Sequence, residues 1–119
     1  ELKNLTGRKL FVTGNHERYL DKSEVKRQLA AAGVEIASGK VIDVGGVRFI
    51  GIDDFDDGGI FDEKFDGLET QQVKFNILLY HRPDVFDAAA ARGCDLMLCG
   101  HTHNGQIFPF RGWPELKPR

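Results

Sequence analysis

Apolar residues along this 119-residue chain come in short runs broken by glycine and charge, and their spacing changes type several times. The run "KLFVT", Lys9 to Thr13, reads as a short strand closed by Gly14. Asp21 with Glu24 three residues later forms a capping-box pattern. Val25 and Leu29 then recur on one face, and Gly33 supplies a stop, so a helix is predicted from about Lys22 to Ala32. "VEIA", "KVIDV" and "VRFIGI" read as strands, the last two joined by a tight hairpin at Gly45–Gly46. The stretch from Asp53 to Asp66 is acidic and broken by glycine, which predicts a loop feeding a helix through Glu69 and Val73. "FNILLY" is a continuous apolar strand suited to burial on both faces, ending at His81. Pro83 opens a second helix, "DVFDAAAARG", that stops at Gly93, and "DLMLC" reads as another buried strand leading to Gly100 and His101.

Alternating strands and helices predict an α/β layered fold with a partly parallel sheet, the segment from Val34 to Ile52 adding antiparallel pairing. Neither an internal repeat nor a flexible interdomain linker interrupts this pattern, and the tail from Arg111 reads as irregular. Composition changes the picture little. The chain is 41% hydrophobic and 29% charged with a formal net charge of -2, which gives no clear nucleic-acid signature. No apolar run approaches the roughly 20 residues that span a bilayer, and no basic-then-apolar leader opens the sequence. The location is left open between a cytoplasmic and a membrane-associated parent. Cys94 and Cys99 flank one extended segment, where a disulfide is geometrically awkward, so both are expected as free thiols.

The candidate chemistry is histidine. His16, His81, His101 and His103 all fall at strand ends or just beyond them, where open α/β sheets bind ligands. On an extended backbone His101 and His103 point the same way, with Thr102 turned from them. Neutral imidazole suits zinc, iron, manganese or nickel. His81 can supply a third imidazole and Asn15 an amide oxygen, while His16 points differently; one ion then has a credible shell and a second a poor one. The acidic run "DDFDDGGIFDEKFD" fails as a calcium loop. Starting at Asp53 puts Phe55 and Lys64 where oxygen ligands are required, and starting at Asp54 puts Gly58 and Phe65 there. Asp53 stands out within it because it directly follows a strand. Cys99 lies in an apolar run and has an ordinary core reading rather than that of a nucleophile.

In that order, "VTGNHE", "ILLYHRP" and "LMLCGHTHNGQIFP" strongly resemble the second half of the calcineurin-like metallophosphoesterases. The "GHTHNGQI" form looks most like the bacterial branch of small phosphodiesterases and membrane-attached phosphoesterases. The resemblance runs from about Leu10 to Pro109. It implies part of a four-layer α/β/β/α sandwich, with residues 1–119 as the C-terminal portion of one domain. It also implies a binuclear centre of two divalent metal ions, manganese, iron, zinc or nickel, that hydrolyses phosphomonoesters or phosphodiesters. By the same resemblance Asn15, His81 and His101 are ligands of the second metal, His103 is a ligand of the first, and His16 binds phosphate and protonates the leaving oxygen. Two such ions clamp phosphoryl oxygens and activate water for in-line attack, while His16 adds electrostatic and acid catalysis.

The sequence departs from the family pattern upstream. An aspartate-any-histidine motif and a glycine-aspartate motif are expected before Asn15, yet only fourteen residues precede it, with Glu1 as their sole acid. The expectation is a fragment whose N-terminal half is missing, inactive alone and prone to self-association through a sheet face its partner normally covers. Its substrate in the parent is a phosphate ester. The alternative is a catalytically dead metal-binding scaffold or protein-interaction module on the same fold. Phe108, Phe110 and Trp113 are candidates for the mouth of the site or for core packing.

Overall fold

Four strands with a shared register organise the chain in a computed structural model that describes residues 4–54 and 60–101. The strands are β3 (Lys40–Val44), β4 (Val47–Gly51), β5 (Phe75–Leu79) and β6 (Leu96–Leu98), hydrogen-bonded in that order. The β3–β4 pair is antiparallel, turned by Gly45 at φ +59, while β4, β5 and β6 run parallel. Ahead of them, β1 (Leu10–Phe11) and β2 (Glu35–Ile36) form a separate two-stranded parallel sheet. The α-helix between these two strands, α1 (Lys22–Ala31), is capped by Asp21, whose carboxylate accepts from the Ser23 and Glu24 amides. The Glu24 side chain turns forward to Arg27 and Gln28. Of the segment Val34 to Ile52, only the β3–β4 hairpin is antiparallel.

Alternation assigns each residue of the larger sheet to a face. Val41, Ile50, Leu78 and Met97 are matched in register and line up across all four strands on one face. That face carries the core. Ile50 and Leu78 are fully buried there with Ile52 and Tyr80, against Phe65, Ala89 and the partly buried Phe61, Val85 and Leu68. Fully burying a side chain of this size contributes about 1.5–3 kcal/mol. The covering helices are α2 (Ile60–Phe65) and α3 (Phe86–Ala91), the latter entered through a 3-10 turn at Pro83–Val85. Phe61 and Phe65, one helical turn apart, stack at 5.7 Å, and Phe61 meets Tyr80 at 5.5 Å. This apolar pair explains why the acidic segment becomes helical from Ile60 rather than after Asp66. The predicted helix through Glu69 and Val73 is instead a run of turns in which Val73 is exposed.

The opposite face is covered unevenly: Ile42 and Ile77 are buried on it, but other apolar residues are not. Val44, Phe75, Leu96 and Leu98 share it and are 41%, 48%, 42% and 49% exposed. The expectation that "DLMLC" is buried fails here: among the described residues nothing covers Leu96 and Leu98 on this face, and β6 is the last strand of the sheet. Near the far end of this face the two sheets touch. A Cβ on Gly51 would lie 2.1 Å from the Ala37 carbonyl oxygen, so only glycine permits the approach. Among the described residues no helix is long and apolar enough to cross a membrane.

Gly51→Ala is expected to destabilise the chain by roughly 1–3 kcal/mol or more, because the clash is with backbone. Gly46→Ala, which meets nothing within 4 Å, should stay within about 0.5 kcal/mol of the parent. Urea unfolding midpoints measure both.

Candidate metal centre

Parallel strands deliver their successors to one end of a sheet, and this end gathers the polar residues. β4 leads to Asp53 and Asp54, β5 to Tyr80 and His81, β6 to Gly100 and His101, and β1 to Thr13 and Asn15. The strand expected over Lys9 to Thr13 pairs only at Leu10–Phe11, since Thr13 is drawn away. Its N–H donates to Asp53 Oδ1 at 2.9 Å, and its carbonyl accepts from the Asp54 N–H at 3.0 Å.

His81 is the centre of the cluster. Its Nε2 lies 2.9 Å from Asn15 Oδ1, a hydrogen bond donated by the imidazole when that nitrogen carries the proton. The His101 ring stands edge-on at 5.2 Å between centroids, with an interplanar angle of 84°. Ahead of them, the Gly14 N–H donates to Glu17 Oε2 at 2.6 Å and fixes the start of a 3-10 turn, His16–Tyr19. A Cβ on Gly14 would sit 3.0 Å from both the His81 ring and Glu17 Oε2, so the loop presses closely on the imidazole. The Gly100 N–H donates to the His81 carbonyl at 3.0 Å, which joins the two histidine-bearing strand ends. Burial, with smaller contributions from neighbouring His101 and His16, holds the His81 pKa below its ordinary value despite the nearby Asp54 carboxylate. Burial thus favours the neutral imidazole, the form that binds metal.

His101 is exposed and has φ +63, a left-handed backbone uncommon outside glycine. The prediction that His101 and His103 share one side of an extended strand is corrected at its first residue. His103 itself, like Phe108, Phe110 and Trp113, lies outside the described residues. His16 is exposed at the entrance of the 3-10 turn. Cys99 is exposed rather than core, and Cys94 is half-buried with its thiol pKa pushed up by burial.

The donor set fits a divalent ion. Imidazole nitrogen and amide oxygen are ligand types that zinc, iron, manganese and nickel accept. Among the described residues no three His, Cys, Asp or Glu side chains converge to hold an ion; the cluster offers the imidazoles of His81 and His101 and the Asn15 amide oxygen.

Two residues not placed in the site from sequence support it. Asp53, half-buried, pairs its Oδ2 with Lys26 Nζ at 2.6 Å, and its Oδ1 accepts from the Ser38 hydroxyl at 2.5 Å. Asp54 is 2% exposed, and its Oδ1 accepts from Arg82 Nε at 2.7 Å, with the Tyr80 hydroxyl at 3.5 Å. The adjacency of two aspartates to the end of an apolar strand was the available signal.

A curated relative from Aquifex aeolicus (strain VF5), named "uncharacterized metallophosphoesterase", is 32% identical over 115 residues, covering 92% of this chain and 43% of the relative. One of the same name from Helicobacter pylori (strain ATCC 700392 / 26695) is 31% identical over 110 residues, covering 84% of this chain and 28% of its own. A third metallophosphoesterase so described, from Campylobacter jejuni, is 33% identical over 112 residues, covering 90% and 30%. The chain thus spans less than half the length of these curated relatives. No family model and no solved structure matches it. The relatives support the metallophosphoesterase family, whose members generally use divalent metals, and the mixed α/β architecture is consistent with part of such a protein.

Burial works against the Asp53 carboxylate, but Lys26, Ser38 and the Thr13 N–H outweigh it and hold its pKa below the usual value. A depressed folded-state pKa contributes stability that is full above the unfolded value, about 3.9, and is lost as pH falls through the folded one. Asp53→Asn should therefore be less stable than the parent at pH 7, with the gap closing below about pH 4. Urea titrations at pH 7, 5, 4 and 3 read the difference directly; a gap constant with pH contradicts it.

Proposed function

We propose that residues 1–119 are the C-terminal portion of one calcineurin-like metallophosphoesterase domain. The whole protein then hydrolyses phosphomonoesters or phosphodiesters at a binuclear metal centre. The reading is carried by Asn15 Oδ1 lying 2.9 Å from His81 Nε2, with the His101 ring beside it, in the order the three motifs imply. Asn15, His81 and His101 would hold the second ion, and His103 would serve the first together with acids from the preceding half. Manganese, iron, zinc and nickel all accept this donor chemistry. When bound, the ions supply charge to the phosphoryl oxygens and activate water.

The chain's own residues supply the rest. His16, exposed beside Asn15, is free of the cluster's interior and reaches a phosphate ester from solvent. There it binds a nonbridging oxygen and gives a proton to the leaving one. The form of the "GHTHNGQI" motif supports the bacterial small-phosphodiesterase or membrane-attached branch. The apolar face bearing Phe75, Leu96 and Leu98 supports a second sheet packing there, completing an α/β/β/α sandwich. Left uncovered, the same face supports self-association of the isolated chain.

The test compares the full-length protein with this chain on bis-p-nitrophenyl phosphate and p-nitrophenyl phosphate, with added manganese. Metal-dependent turnover is expected from the former and little or none from the latter. His16→Ala in the full-length protein should lower turnover about 10²–10⁴-fold, the usual contribution of a general acid. Metal uptake without hydrolysis of either ester would favour a metal-binding scaffold instead.

A further inference from the structure

We infer that the Asp53–Asp54 pair is a positioning clamp that sets the distance between Asn15 and His81, an inference resting on the reading of these two residues as ligands of one metal. The pair holds both ligand-bearing segments from a single point, the end of β4. Thr13, two residues before Asn15, is gripped through both of its backbone groups. Its N–H donates to Asp53 Oδ1 at 2.9 Å and its carbonyl accepts from the Asp54 N–H at 3.0 Å. On the other side Asp54 Oδ1 accepts from Arg82 Nε at 2.7 Å and lies 3.5 Å from the Tyr80 hydroxyl. Tyr80 and Arg82 are the two residues flanking His81. The Asp54 N–H thus faces the asparagine segment while its carboxylate faces the histidine segment.

The clamp is itself anchored. Asp53 is tied to α1 through Lys26 and to the β2–β3 connection through Ser38, at 2.6 and 2.5 Å. Asp54 is 2% exposed, and its Oδ2 has no hydrogen-bond partner among the described residues. So deeply buried a carboxylate is held in place by the Arg82 guanidinium, so it has little freedom to shift. Partners behind metal ligands orient them, and their loss typically weakens metal binding 10–100-fold. Asp53 and Asp54 are positioning residues in this sense, acting on Asn15 through Thr13 and on His81 through its neighbours.

The experiment uses the full-length protein isotope-labelled on histidine and asparagine, with Asp53→Asn and Asp54→Asn as variants. Nuclear Overhauser contacts between the His81 ring and the Asn15 side chain are read without metal, and cobalt(II) affinity is read by its visible absorption. Each variant is expected to lose at least half of the contact intensity and to bind cobalt(II) about 10-fold more weakly. Ile42→Val, a buried change on the opposite sheet face from Tyr80, should lower stability while leaving both readings unchanged. If an Asn variant fails to fold, Lys26→Met and Ser38→Ala strip Asp53 of partners from outside the core and should weaken the same contact. Retention of the full contact in every folded variant, or its absence from the unmodified protein, overturns the clamp. If the unmodified protein takes up no cobalt(II), the metal reading falls and the metal-free contact still decides the clamp. Equal cobalt(II) binding with the contact intact leaves the metal reading standing and removes the clamp.

Discussion

Thr13 makes no side-chain claim on chemistry, yet the arrangement depends on how its backbone is held. A two-stranded sheet and a four-stranded sheet have few reasons to keep a fixed relation. Here the end of β1 is bound to the end of β4 by the Asp53 carboxylate and the Asp54 amide. The Ala37 carbonyl, pressed onto Gly51, is a second point of contact. Between them these contacts set where the asparagine loop arrives relative to the β5 and β6 ends. Without them Asn15 and His81 would belong to separately moving elements, 66 residues apart in sequence.

The division of labour across the sheet follows from alternation. One face spends its apolar rows on α2 and α3, and the other leaves Val44, Phe75, Leu96 and Leu98 half in water. The histidine cluster sits at the C-terminal rim, beyond both faces. There, burial lowers the His81 pKa, and Arg82, the residue after it, pairs with Asp54. A buried ion pair of this kind adds little net stability, but breaking it by removing one partner typically costs about 3–5 kcal/mol. Its value lies in fixing direction.

Much of this was legible in the sequence, and the failures have physical causes. The Gly45–Gly46 hairpin, the Asp21 cap and the placing of His81 and His101 just beyond strand ends are local signals, and each sits where its pattern places it. The burial of "DLMLC" was misjudged because hydrophobicity does not reveal which face of a strand a neighbouring layer covers. The helix through Glu69 and Val73 was misplaced because the Phe61–Phe65 pair, anchored on Tyr80, outweighed the glycine-broken acidic composition around it. His101 departs from extended geometry, so a two-residue spacing could not fix its direction. Asp53 drew notice for following a strand, but its partners lie 40, 27 and 15 residues away. Only the folded chain assembles them.

The hairpin at Gly45–Gly46 has a practical side. β4 runs from that turn to Gly51, so the turn and the histidine rim stand at opposite ends of the strand, about 17 Å apart at 3.3–3.4 Å per residue. Both glycines are exposed, but Gly45 at φ +59 would strain any side chain, whereas a Cβ on Gly46 would meet nothing within 4 Å. Nature has thus left the sheet with a silent pole. A spin label, a fluorophore or a tethering cysteine placed at Gly46 would give the molecule a handle on the sheet that carries the histidines, without intruding on them.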